Sequence, residues 1–138
     1  MSTQLLKKLA VVGLLALGGC AYNLTLVSNM TGDDVASGTA SKYGKLISIT
    51  LDRRIYSGHY VYPTQAPVAL ASYAQSMPTA AGVVVGVDAV GNGTITAVTD
   101  NNDELRCVFS FKENAQGGTG QCVTQGGRVF ALRIAKHW

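Results

Sequence analysis

Two stretches near the C-terminal end mirror each other. Leu105, Cys107, Phe109 and Phe111 recur at every second position, and so do Gly118, Gly120, Cys122 and Thr124. Alternation at period 2 places each set on one face of a β-strand. Setting Cys107 opposite Cys122 fixes an antiparallel register: Phe109 then faces Gly120 and Phe111 faces Gly118. The glycines leave room for the rings, and the rings cover backbone that would otherwise be bare. One register therefore satisfies the cysteines and the large-on-small packing together.

The next turn is Gln125-Gly126-Gly127. A two-residue Gly-Gly turn would pair Cys122 with Ala131 and push Phe130 to the opposite face. A three-residue loop pairs Cys122 with Phe130 and keeps Phe130, Leu132 and Ile134 on the core side. The hydrophobic pattern selects the longer loop, with a glycine in the left-handed region.

The same period appears upstream. Leu24 and Leu26 alternate with Asn23 and Thr25 in a strand over Tyr22–Ser28, and Thr31-Gly32-Asp33-Asp34 reads as a turn. From Gly44 onward Ile47, Ile49 and Leu51 share a face, Asp52-Arg53-Arg54 turns the chain, and Tyr56, Gly58, Tyr60 and Tyr62 share the face that returns. Pairing Leu51 with Tyr56 places Ile49 over Gly58 and Ile47 over Tyr60. The tyrosines read in two ways. Their rings are buried with wet hydroxyls, or Tyr56, Tyr60 and Tyr62 form a candidate recognition face, since exposed aromatics mark binding surfaces. Thr94–Thr99 is a further strand, followed by the turn Asp100-Asn101-Asn102-Asp103. Asp100, Asn102 and Glu104 imitate the first ligands of a calcium loop, but Leu105 stands where the sharp turn needs glycine and no glutamate follows at the twelfth place.

Residues 64–91 break the alternation. Pro67 and Pro78 lie here, and Asp88 is the only charge. Ala66–Gln75 fits a short helix, and Gly82–Asp88 is β-branched enough to be a strand. The stretch reads as an insertion, dispensable for the fold and a candidate partner-contact region. Abundant glycine, recurrent Thr, Val and Ser, and only 14% charged residues favour an all-β domain. The expected architecture is a small antiparallel meander, barrel-like or a sandwich, carrying one disulfide after an N-terminal signal peptide.

That signal is legible at the start of the chain. Lys7-Lys8 precede the apolar run Leu9–Ala16, and Leu17-Gly18-Gly19-Cys20 follows it. A charged n-region, a short h-region and a small-residue cleavage site make a secretory leader, and the run is too short to span a bilayer. The four residues resemble a bacterial lipobox. The resemblance implies removal of residues 1–19, acylation of Cys20 (palmitate-type lipid), and a single domain over 20–138. Ala21 rather than aspartate after the cysteine resembles an outer-membrane cargo, facing the periplasm or the cell surface. In that oxidising compartment Cys107 and Cys122 are the remaining even pair, and a disulfide is the natural reading. The rival uses, a metal pair or a catalytic thiol, lack a C-x-x-C, and His59 and His137 are far apart.

The span Gly93–Ile134 resembles the C-terminal half of small bacterial envelope lipoproteins, through Cys107, Gly118-Thr119-Gly120-Gln121-Cys122, Gly127 and Phe130. That likeness implies a fold and no chemistry. Tyr56-Ser57-Gly58 weakly resembles the Y-x-G core of a MORN repeat, in one copy without tandem repetition.

Function follows by class. The formal charge of +3 includes Lys7 and Lys8, which leaves the chain from Cys20 near neutrality and supports no nucleic-acid partner. The leading expectation is a lipid-anchored, non-catalytic binding or structural module, without cofactor or metal, that touches the membrane through its lipid and an envelope protein or cell-wall component. An exclusion or inhibitor lipoprotein that blocks an envelope receptor is the alternative. A hydrolase is least supported: His59 has Ser57 two residues away but no third partner, and His137 sits in the tail.

Overall fold

The alternation seen in the sequence closes into a barrel. The computed structural model describes residues 21–75, 89–112, 114 and 117–136. Residues 1–19, where a leader is expected, Cys20, the 82–88 run and His137 lie outside the described residues. The strands are β1 (Ala21–Ser28), β2 (Asp34–Ser41), β3 (Leu46–Leu51), β4 (Arg54–Val61), β5 (Val68–Ala69), β6 (Val90–Gly91), β7 (Gly93–Val98), β8 (Glu104–Lys112), β9 (Gly117–Thr124) and β10 (Val129–Lys136). A single helical turn, α1 (Leu70–Tyr73), follows β5. Eight strands form a closed antiparallel barrel in the order β1-β2-β3-β4-β7-β8-β9-β10, and β10 pairs back onto β1. The barrel-like alternative holds and the sandwich does not. Closure leaves the barrel itself without an open sheet edge, and β5 and β6 form a separate two-stranded sheet.

The inward positions are the apolar ones. Leu24, Leu26, Ile47, Ile49, Ile95, Leu105, Leu132 and Ile134 fill the interior, with Cys107 and Cys122 among them. The cysteines are fully buried and disulfide-bonded, directly opposite on β8 and β9 at a Cα–Cα distance of 4.0 Å. Phe109 faces Gly120 and Phe111 faces Gly118, the register the sequence predicts. A bridge closing a loop of this size contributes about 3 kcal/mol by restricting the unfolded chain. The final hairpin also follows the sequence: Phe130 pairs with Cys122, and Gly127 takes φ +89°.

The β3–β4 hairpin differs by two residues. Leu51 pairs with Arg54, Ile49 with Tyr56 and Ile47 with Gly58. Asp52 and Arg53 both adopt positive φ, 53° and 64°, which makes a two-residue turn whose twist matches the flanking strands. An even shift leaves every side chain on its expected face, so only the cross-strand partners change. Strand β2 was not apparent from hydrophobic periodicity. Its inward residues are Ala36, Gly38 and Ala40, too small to stand out, yet small is what the barrel takes at those positions. A side chain on Gly38 would meet the Ser48 carbonyl oxygen at 2.2 Å.

The described ends of the 64–91 insertion pack against the outer face of the barrel. Leu70 and Ala74 pack on Val108 and Val123, which point outward from β8 and β9, and form a second small core outside the barrel. Leu70 is fully buried. The helix is shorter than Ala66–Gln75, because Val68–Ala69 is drawn into pairing with β6 and the Leu70 amide donates to the Ala89 carbonyl. The Tyr73 hydroxyl reaches the Ile95 carbonyl and the Thr96 hydroxyl, and the Arg106 guanidinium donates to the Tyr73 carbonyl at 2.7 Å while lying over its ring.

Candidate functional site

Antiparallel topology brings alternate strand ends together. One end of the barrel gathers the starts of β1, β3, β7 and β9 and the ends of β2, β4, β8 and β10. The chain enters the barrel at this end, at Ala21. Inward residues here are aromatic: Tyr22, Tyr60, Tyr62, Phe109 and Phe111. Tyr22 and Tyr62 both meet Phe111 edge to face, with centroids 5.2 and 5.5 Å away, and Tyr62 stacks on Phe109 at 5.9 Å. Edge-to-face and offset contacts are the preferred arrangements of such rings.

These rings surround an opening of about 210 Å³ that leads into the barrel. Leu24, Ile47, Ile95 and Ile134 make its floor, and Lys42 and Lys45 stand on its rim. Two of the tyrosine hydroxyls are engaged. Tyr60 donates to the Ser41 carbonyl at 2.8 Å and Tyr62 to the Phe111 carbonyl at 3.1 Å. Burial pushes the Tyr60 hydroxyl above its ordinary pKa, with a smaller contribution from Tyr22. Lys45 donates to the Tyr62 carbonyl at 3.2 Å, and its ammonium lies 5.2 Å from the Tyr60 ring centroid.

Charge is divided along the barrel axis. Lys42 and Lys45 in the β2–β3 connection, Lys112 at the end of β8 and Lys136 at the end of β10 all belong to the aromatic end. Among the described residues, the carboxylates Asp33, Asp34, Asp52, Asp100, Asp103 and Glu104 all belong to the opposite end. There they meet arginines: Arg54 reaches Asp103 at 2.6 Å, Arg128 reaches Asp52 at 2.5 Å, Arg133 reaches Asp34 at 2.6 Å and Arg106 reaches Glu104 at 3.1 Å. The depression at that end is polar and lined by residues that pair with one another, among them Asp52, Arg54, Asp103 and Arg128.

The three tyrosines of the expected recognition face separate. All point inward rather than outward. Tyr60 and Tyr62 belong to the aromatic mouth, whereas Tyr56 is buried near the opposite end, where burial and then the Asp103 carboxylate raise its hydroxyl pKa. Ser57 and His59 are exposed on the outside of β4. Asp103 and Glu104 of the calcium-like turn are engaged by Arg54 and Arg106. Sequence reasoning missed Tyr22, Phe111, Lys42 and Lys45 as site residues. The available signal was Lys42-Tyr43-Gly44-Lys45, two cations in one short connection, but only barrel closure places that connection beside Tyr22 and Phe111.

Fold and site together define a disulfide-linked, eight-stranded up-and-down barrel with one apolar, lysine-rimmed mouth. Comparison of the chain with protein-family models, curated proteins and solved structures finds no match.

Proposed function

We propose that this protein is a lipid-anchored domain of a bacterial outer membrane that works by binding, with the aromatic mouth as its binding site. Acylated Cys20 is the anchor, and residues 1–19 are the leader that is removed. The observation that carries the reading is the sequence Leu17-Gly18-Gly19-Cys20 behind Lys7-Lys8 and the apolar run Leu9–Ala16, followed by a chain that the structure describes as a disulfide-linked β-barrel. Two or three acyl chains at Cys20 hold a protein firmly at a bilayer, where one holds it only reversibly. An anchor there also turns the aromatic mouth toward the membrane, because Ala21 and Tyr22 belong to that end.

The test is the mass and labelling of the mature chain. Protein extracted from membranes should begin at Cys20 and carry acyl mass. An alkyne-tagged palmitate fed to the cells should label it, and Cys20→Ser should abolish the label. A mature form cleaved elsewhere and free of lipid would overturn the anchor. Crosslinking in intact envelopes then identifies any protein or wall component held against the domain.

A further inference from the structure

We propose that the mouth of the barrel binds one anionic single-chain amphiphile, its tail in the cavity and its carboxylate or phosphate on Lys42 and Lys45. The proposal rests on the mouth being a binding site and adds the ligand's chemistry.

The tail follows from the cavity wall. Leu24, Ile47, Ile95 and Ile134 present only carbon, and the Tyr60 and Tyr62 hydroxyl protons are committed to backbone carbonyls. Water against these carbon walls finds few hydrogen-bond partners, so an apolar chain that displaces it is favoured there. The volume of about 210 Å³ is below that of sites for drug-sized molecules, so a narrow hydrocarbon chain fits better than a fused ring system. Eight-stranded barrels are just wide enough to be filled by side chains or to hold one small ligand. Here the interior is filled at mid-height and open at one end.

The sign of the headgroup follows from the rim. Lys42 and Lys45 border the opening, and no carboxylate lines it among the described residues. Lys112 ends its strand on the same side, so the charge that the described residues place around this mouth favours anions. Lys45 is held over the Tyr60 ring and against the Tyr62 carbonyl, at the boundary between cavity and solvent. That is where the polar end of an inserted chain would emerge.

The experiment is calorimetric titration of the chain from Ala21 onward, since residues 21–136 alone supply every strand that closes the barrel. The probes are decanoate, decyl phosphate, decanol and decyltrimethylammonium, each below its micelle concentration. The two anions should bind at least about tenfold tighter than the alcohol, and the cation weakest. The double variant Lys42→Gln/Lys45→Gln should remove the preference for anions and retain decanol binding. Ala40→Phe, which fills the cavity from β2, should abolish binding of all four. If its melting shows a lost fold, Leu24→Phe replaces it. Amide shifts on titration should fall on Tyr22, Tyr60, Tyr62 and Phe111 and leave the Asp52–Arg54 turn unmoved.

Preference for decanoate over decyl phosphate assigns the ligand to fatty acids, and the reverse assigns it to phosphate-headed lipids. Equal binding of anion, alcohol and cation overturns the headgroup assignment. No binding, or binding indifferent to both cavity variants, overturns the site. Such a failure leaves the acylation of Cys20 to be judged separately by its palmitate label.

Discussion

Gly58 shows how one missing side chain permits a barrel wall. A Cβ built on it would lie 1.9 Å from the Thr96 carbonyl oxygen of β7, so the strands approach only because nothing is there. Gly58→Ala should therefore destabilise the protein by about 1–3 kcal/mol, read as a lower urea midpoint at unchanged slope. Leu70 is the opposite case, a side chain whose presence matters far from any predicted core. It is fully buried on the outer surface of the barrel against Val108 and Val123. Leu70→Ala should cost about 2–5 kcal/mol in the same measurement, and a near-neutral result would mean that the insertion contributes nothing to the fold.

At the scale of elements, the hairpins differ in how much of their geometry is local. The β8–β9 pair was legible because Phe109 and Phe111 have one sensible partner each in Gly120 and Gly118. The β3–β4 pair was legible in its faces but not its register. Asp52-Arg53 lacks the glycine that usually announces a two-residue turn, although both residues adopt positive φ. Arg53→Gly should relieve a left-handed conformation that costs an ordinary residue about 1–2 kcal/mol, offset in part by glycine's freedom in the unfolded chain. The expected outcome is a melting temperature a few degrees higher. A lower one would mean that the Arg53 side chain contributes where it stands. Strand β2 escaped notice because period-2 reading relies on large apolar residues, and this strand faces the interior with Ala36, Gly38 and Ala40.

For the whole molecule, buried Tyr56 and half-buried Tyr60 couple stability to alkaline pH. Burial raises the pKa of Tyr56 and Tyr60 above the usual value near 10. In that window the folded state holds protons that the unfolded state has released. Their contribution is thus complete below about pH 10 and is lost as pH rises through the folded values. Tyr56→Phe/Tyr60→Phe should flatten the alkaline decline in denaturation midpoint relative to the parent chain; parallel curves would contradict it. The division of charge is likewise a property of the whole: lysines at the mouth where the chain enters, described carboxylates at the far end among arginines.

The sequence by itself determined the local β geometry. It set the period-2 faces, the Cys107–Cys122 register and the three-residue loop before Arg128, because each depends on neighbours a few residues away or one strand across. Before the first described strand it carries Leu17-Gly18-Gly19-Cys20, whose likeness to a lipobox rests on residues alone. Only the tertiary structure decided the β3–β4 register and the pairing of β4 with β7. It decided, too, that Tyr60 and Tyr62 share a mouth with Tyr22 and Phe111 while Tyr56 does not. The physical reason is closure. Pairing β10 with β1 joins residues at opposite ends of the chain, and no local pattern carries the distance between Lys42, Lys45 and Phe111 until that last seam of hydrogen bonds exists.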